Sequence, residues 1–242
     1  MIQLDHVSYT YDDSENALAD ISLNIADGAS LALIGANGSG KSTLMKIISG
    51  LTIPSSGVYR LNNEEITEKK LKDPRFSRMF HKQIGFVFQN SETQLFCSNV
   101  WEEIAFGPLQ MGLTVQDVQA RVTEIMDLLE ISHLKKRPPY HLSGGEQKRV
   151  AIAATAVMNP DVYLFDEPMN NLDPKNKSFL RQFISRLNQS GKTIICSTHD
   201  FAYVDDLFQK AAVFSETHQL IRLDDYSSVL ADRDFLAKMN II

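Results

Sequence analysis

The chain opens on alternating apolar and polar positions. Ile2, Leu4, Val7, Tyr9 and Tyr11, and then Ile21, Leu23 and Ile25, keep close to the period of two of half-buried strands. Both stretches read as antiparallel strands, with Asp12-Asp13-Ser14-Glu15-Asn16 the polar turn between them. Later runs are apolar nearly throughout, as in strands covered on both faces: Ser30 to Ile34, Ile84 to Phe88, Val162 to Phe165 and Thr193 to Thr198. Val58 to Leu61 is a further short strand, and Ala211 to Phe214 leads into a hairpin pattern around Glu216 to Gln219. Helices are expected over Thr43 to Ser49, over Val100 to about Leu134, after Ser143 as far as Val157, and at Phe235 to Asn240. Val118, Val122, Ile125, Leu128 and Leu129 carry the three- and four-residue spacing of the second of these. Gly107-Pro108 and Gly112 should break it into pieces, Pro138-Pro139 should end it, and Asn159-Pro160 should end the third. The cationic stretch Lys69 to Lys82 reads as a solvated surface segment. Strands and helices in this order predict an α/β fold with a helical insertion between strands.

Composition narrows the class. The 242 residues are ample to bury a core, and 43% hydrophobic with 22% charged residues is the balance of a soluble globular protein. A net charge of −6 gives no basic footprint, so nucleic acid is not expected as a partner. The start has no secretory pattern, and the two distant cysteines, Cys97 and Cys196, read as reduced thiols of a cytosolic protein. No apolar run approaches the length of a membrane span.

Three strand ends carry candidate chemistry. Gly35-Ala36-Asn37-Gly38-Ser39-Gly40-Lys41-Ser42 joins an apolar strand to a helix beginning at Thr43 and matches the phosphate-binding loop G-x-x-x-x-G-K-[ST]. Its glycines let backbone N–H groups converge on phosphate oxygens at a helix amino end. Lys41 would reach the β- and γ-phosphates, and Ser42 would offer its hydroxyl to Mg²⁺. The strand Val162 to Phe165 ends on Asp166-Glu167, where open α/β sheets bind ligands. Adjacent strand residues point oppositely, so Asp166 is expected on Mg²⁺ through its water shell, and Glu167 is expected to orient or deprotonate an attacking water. His199 closes the next strand at the same edge, within reach of a γ-phosphate. Ser143-Gly144-Gly145-Glu146 has the form of a capping box and is a second candidate anion site. Tyr11, before its turn, is placed to stack on a base.

Taken together and in order, the phosphate-binding loop, Gln89 after an apolar strand, Leu142-Ser143-Gly144-Gly145-Glu146, Phe165-Asp166-Glu167-Pro168, Asn171-Leu172-Asp173 and Ser197-Thr198-His199-Asp200 resemble an ABC-type nucleotide-binding subunit. The resemblance implies a P-loop NTPase of the ABC-ATPase fold: a RecA-like parallel-sheet core, an N-terminal antiparallel β subdomain and a helical subdomain. It implies one nucleotide-binding domain over residues 1–242, with the helical and signature part at about 90–160 and a short appendage at about 215–242. ATP and Mg²⁺ are the implied cofactors. By the same resemblance Tyr11 stacks on adenine, and Gln89 senses Mg²⁺ and the attacking water. Ser143 and Gly145 contact the γ-phosphate held by an opposite subunit, and Asp173 lies at that seam. The loop residues Gly35, Asn37, Gly38, Ser39, Gly40, Lys41, Ser42 and Thr43 hold the nucleotide, with Lys41, Gln89, Glu167 and His199 serving catalysis. A second ATPase subunit, identical or related, would complete two composite sites.

Phe88 to Phe96, followed by Val100 to Pro108, is similar to the ATPases of energy-coupling-factor importers, the group of cobalt, nickel and biotin uptake systems. In them the loop after the glutamine helps to receive coupling helices of a transmembrane T component, while a separate membrane protein captures the substrate. That implies a peripheral protein on the cytoplasmic face of the membrane and gives an exposed Leu95-Phe96 pair a purpose. A soluble, non-transport ABC ATPase is the alternative. Two features depart from the pattern: the sequence stops at Ile242 soon after the last expected helix, and Asn170-Asn171 stands where small residues are usual.

Overall fold

The computed structural model describes residues 1–11, 16–201, 204 and 206–242; of the turn read at Asp12 to Asn16, residues 12–15 lie outside them and Asn16 opens a strand. In chain order the strands and helices are β1 (Ile2–Thr10), β2 (Asn16–Ile25), β3 (Ser30–Gly35), α1 (Lys41–Ile48), β4 (Ser56–Leu61), β5 (Glu64–Glu65), α2 (Glu68–Leu71), α3 (Pro74–Gln83) and β6 (Ile84–Val87). Then follow α4 (Val100–Gln110), α5 (Val115–Leu128), α6 (Gly144–Ala156), β7 (Val162–Asp166), α7 (Pro174–Gln189) and β8 (Thr193–Ser197). The chain ends in β9 (Lys210–Phe214), β10 (Leu220–Asp225), α8 (Tyr226–Ala231) and α9 (Arg233–Lys238).

Two sheets form. The antiparallel one has the order β2-β1-β4-β5; the larger has the order β10-β9-β3-β8-β7-β6 and is parallel except for β10. The apolar runs are the central strands, and alternate residues feed separate cores. Ala32, Ile34, Tyr163, Phe165, Ile194 and Cys196 face the cluster containing α4 to α7, while Leu31, Leu33, Val162, Leu164 and Ile195 face the one containing α1 and the antiparallel sheet. Burial on both faces requires a parallel strand to be apolar at every position. The β1 alternation slips between Leu4 and Val7, where the register shifts and His6 takes a φ of 49°. The bulge keeps Ile2, Leu4 and Val7 all inward.

The carboxyl ends of the parallel strands share one edge. Leu33 pairs with Ser197, Asp166 with Ser197, and Val87 with Phe165. The loops that follow β3, β6, β7 and β8 therefore meet there, and these are the loops that hold the candidate chemistry.

The structure corrects one expectation and fills in two others. Lys69 to Lys82 is largely solvated, as expected, but it is helical, holding most of α2 and most of α3. Thr67 and Asp73 cap these helices through their side chains, Pro74 occupies the first turn of α3, and Phe80 anchors that helix in the core. The Asp-Pro start was a legible helix signal that the run of cations obscured. Gly107-Pro108 does not break α4, which runs through Pro108 and ends just before Gly112, a left-handed glycine with φ 79°. Pro108 leaves the Ile104 carbonyl without its helical donor, and the helix carries on for only two more residues. The last expected helix is present as α9, and α8, not expected, precedes it, with Tyr226, Val229 and Leu236 buried.

Candidate functional site

The loop between β3 and α1 is shaped by glycines at two places where a side chain is excluded. Gly40 has φ 101°, and a Cβ there would stand 2.4 Å from the Ala17 carbonyl oxygen. At Gly35 it would stand 2.7 Å from the Phe214 carbonyl oxygen. The first N–H groups of a helix have no intrahelical acceptor. In α2 to α7 the side chain of Thr67, Asp73, Asn99, Thr114, Ser143 and Asp173 respectively accepts from at least one of them. Helix α1 starts at Gly40 with no side-chain cap, so its donors and dipole are left for an anion. The Ser39 hydroxyl is buried without a partner. The Lys41 ammonium, 5% exposed, donates to the carbonyls of Gly35 at 2.7 Å and Ala36 at 2.9 Å. Burial holds it below its ordinary pKa, and Glu167 and then Asp166 pull it back up. Asn37 and Gly38 are exposed, Ser42 is half-buried and Thr43 is buried. Tyr11 lies against Tyr9 edge to face at 4.8 Å, its hydroxyl 3.4 Å from Thr43 Oγ1, with 40% of its surface open beside the loop.

Across the edge, one hydroxyl joins the two acids. Ser197 Oγ donates to Asp166 Oδ1 at 2.6 Å and accepts from the Glu167 N–H at 2.8 Å. Glu167 sits in left-handed backbone with φ 44°, which turns its side chain out of the strand line. Its Oε2 accepts from Gln89 Nε2 at 3.2 Å and from the Asn170 amide. Its Oε1 lies 3.2 Å from His199 Nε2, a contact that is an ion pair when the imidazole is protonated but is not aligned as a hydrogen bond. His199 holds the Glu167 carboxyl below the usual range, opposed by burial and helped by Lys41 and Asn170. Lys41, Gln89, Asp166, Glu167 and His199 thus form one group.

Ser143, Gly145 and Asp173 belong to a second group. Ser143 caps α6 as expected: its N–H and hydroxyl both reach Glu146 Oε2 at 2.8 Å, and its oxygen accepts from the Glu146 N–H. Asp173 caps α7 and accepts from the Asn176 N–H at 2.9 Å and its amide at 2.6 Å. Asn176 in turn accepts from Arg149 Nη2 at 3.0 Å and would meet a Cβ at Gly145 at 2.7 Å, so α6 and α7 are locked together there. Among the described residues, no hydrogen bond or ion pair runs from Ser143, Gly145 or Asp173 to Lys41, Glu167 or His199.

The residues suit Mg²⁺ held largely by other oxygens. No cluster of three or more His, Cys, Asp or Glu able to hold a metal exists among the described residues. A buried carboxylate, Asp166, and the Ser42 hydroxyl bracket the phosphate loop, as befits an ion that keeps waters and phosphate oxygens around it.

Four neighbours have roles in the site that no sequence motif assigned to them. Ser197 is found only by knowing that β8 pairs with β7 in register. Asn170 acts through the turn after Glu167, and Asn171 takes φ 60° there, a conformation asparagine tolerates. Gln94 pins the Gln89 loop, accepting from the Phe88 N–H and donating to the Phe86 carbonyl, both at 3.2 Å. Lys148 on α6, 5% exposed, donates to the carbonyls of Phe88 at 3.1 Å and Gln89 at 2.8 Å. Burial pushes its ammonium down to about 8, with Asp166 opposing.

The ABC transporter family model matches residues 18–170, and a Clostridium acetobutylicum ABC transporter ATP-binding protein, whose name gives no substrate, is 53% identical over the whole of both chains. The chain belongs to the ABC transporter family. It is an ABC ATPase that binds ATP and has the ABC-ATPase fold, whose members work as dimers with membrane components. The nickel import ATP-binding protein LarO of Lactiplantibacillus plantarum is 41% identical over 220 residues, 91% of each chain. Among solved structures, cbiO1 of Clostridium perfringens, part of the ABC transporter complex cbiONQ, aligns with a TM-score of 0.83 at 33% identity, over 99% of this chain and 94% of that one.

Beside this ABC site lies a second opening, a cleft of about 590 Å³ lined by Glu92, Leu95, Phe96, Ser98, Tyr140 and Gln147 among others. Phe96 is 69% and Tyr140 73% exposed. Leu95, expected to be exposed with Phe96, is half-buried against the core. Phe96 packs edge to face on Phe106 at 5.0 Å, and the buried Glu103 carboxylate accepts from the N–H groups of Phe96 at 2.9 Å and Cys97 at 2.6 Å.

Proposed function

We propose that this ABC ATPase energises an energy-coupling-factor type importer of a transition metal ion, such as nickel or cobalt, or of a vitamin such as biotin. The observation that carries this reading is the cleft at Phe96 and Tyr140, which opens directly after the Gln89 loop. Phe96 and Tyr140, two of the most exposed large apolar side chains among the described residues, line the same cleft and so fit a protein partner. They are held on a loop that Glu103 braces, and Gln147 of α6 lines the same cleft. The metal-import names among the relatives, LarO and the cbiONQ complex, point the same way. The partner would be a transmembrane T component acting with a substrate-capturing membrane protein. The chain would then be peripheral on the cytoplasmic face; no helix among its described residues is long and apolar enough to cross a membrane.

In this reading the open end of α1, Lys41 and Tyr11 hold ATP, with Ser42, Asp166 and Gln89 facing Mg²⁺. The ion would neutralise charge on the β- and γ-phosphates. Glu167 takes the proton of the attacking water, and Lys41 and His199 stabilise charge on the γ-phosphate. Ser143, Gly145 and Asp173, apart from that group in one chain, complete the site of a second subunit. Phosphoryl transfer needs positioning and neutralised charge rather than covalent chemistry, and these side chains supply both.

The test is co-purification from detergent-solubilised native membranes with tagged protein. Recovery of a T-type membrane protein, abolished by Phe96→Asp, supports the importer. Recovery of soluble partners alone moves the protein to the non-transport ATPases.

A further inference from the structure

Lys148 is a buried cation that the chemistry of hydrolysis does not use. A charge taken out of water is costly unless it is well paired, and a methionine would fill similar volume without that cost. Here the ammonium is satisfied by two backbone carbonyls, those of Phe88 and Gln89. Both belong to the loop whose Gln89 side chain donates to Glu167. The helix that carries Lys148 starts at Ser143, and Gly145 stands one turn before the lysine, about 5 Å along the axis. Gln94 fixes the other side of the loop through the Phe88 N–H, so the segment from Phe88 to Gln94 is held as a unit. A shift of Gln89 toward a bound nucleotide therefore carries its carbonyl, and with it the ammonium and the first turns of α6.

We infer that Lys148 is a positioning residue that couples the Gln89 loop to the amino end of α6, so that nucleotide bound beside Glu167 alters the surface Ser143 and Gly145 offer to a second subunit. The inference rests on the roles proposed above for Gln89, Glu167 and Ser143. Coupling of this kind needs a contiguous contact with two arrangements, and two hydrogen bonds from one side chain to one loop provide the contact.

The experiment compares the full chain with Lys148→Met, Lys148→Arg and Glu167→Gln. It measures ATP hydrolysis against ATP concentration, and amide hydrogen exchange of α1 and of residues 88–90 and 144–150 with and without ATP in the Glu167→Gln background. Lys148→Met is expected to lower kcat about tenfold or more, the scale of a small misplacement at a reacting centre, while KM for ATP moves by less than about twofold. Lys148→Arg restores most of the rate. Addition of ATP still protects α1 in Lys148→Met, and no longer changes exchange at 144–150. A role confined to stability would lower the melting temperature and leave that response intact, which overturns the inference, as does parental kcat in Lys148→Met. Should the methionine variant not fold, Lys148→Gln, which keeps a donor, is read by the same exchange criterion. A Glu167→Gln chain that hydrolyses ATP at the parental rate overturns the site reading and the coupling together; a silent Lys148→Met beside an inactive Glu167→Gln overturns the coupling alone.

Discussion

The amino ends of α1 and α6 are made from similar materials and finished differently. Glycines lie at both starts, in the loop before α1 and in the first turn of α6, and both present free N–H groups to an anion. Helix α1 begins at a left-handed glycine with no side chain over its donors, and a buried lysine and an unpartnered serine hydroxyl stand beside it. Helix α6 closes on itself: Ser143 and Glu146 satisfy each other, with the Glu146 carboxylate where a phosphate would come. Among the described residues nothing beyond its own helix comes within 4 Å of a Cβ built at Gly144, so that end faces outward. The first is ready to hold a phosphate within one chain. The second must rotate the Ser143 hydroxyl away from Glu146 before it can serve one, a step that the role proposed for it at another subunit's nucleotide requires.

The largest effect tests the first end alone. Glu167→Gln should keep ATP binding, because the loop and α1 are untouched, and slow hydrolysis by roughly 10²–10⁴, the range for loss of a general base. Nucleotide binding by fluorescence and phosphate release would show the split. Next comes a mixing assay that separates the two ends. Lys41→Ala and Ser143→Arg should each be inactive, yet a random mixture should regain about a quarter of parental turnover. Half of its dimers are mixed, and each of those holds one composite site with both halves intact. Recovery near zero would mean that both ends must come from one chain.

Smaller effects sharpen the contrast. Glu146→Ala removes half of the capping box and should cost about 1 kcal/mol in urea unfolding. It should also strengthen ATP-dependent dimerisation, measured by light scattering, because Ser143 loses its internal acceptor. The smallest effect concerns pH. The Lys148 ammonium titrates at about 8 in the folded chain and near 10.5 when free. Through that window the unfolded chain keeps a proton that the folded chain has released, so stability contributed by this group rises with pH. Unfolding at pH 8 and pH 10 should show that slope in the parent and not in Lys148→Met.

The parallel core was legible because strands buried on both faces have no polar position to hide them, and the phosphate loop because its glycines have steric causes. The outcome at α3 went the other way: Asp73-Pro74 is a helix start, but six cations between Lys69 and Lys82 read as solvent, since a helix with one buried side per turn shows few apolar residues. Lys41, Glu167 and His199 could be named from strand ends alone. Ser197, Gln94 and Lys148 could not, because each acts on a backbone or a carboxylate far away in sequence, and only pairing order and helix packing reveal such partners.

The hydroxyl between Asp166 and Glu167 has one further consequence. A serine has a single proton to give, and here it is committed to Asp166, while its lone pair receives the Glu167 N–H. The link is directional: Asp166 must stay an acceptor, and the two neighbouring acids cannot exchange duties even by a slip of one position. Threonine could replace this residue, but alanine would orphan a buried carboxylate oxygen and a backbone donor at once, so the division of labour between the two acids is written into one atom of the next strand.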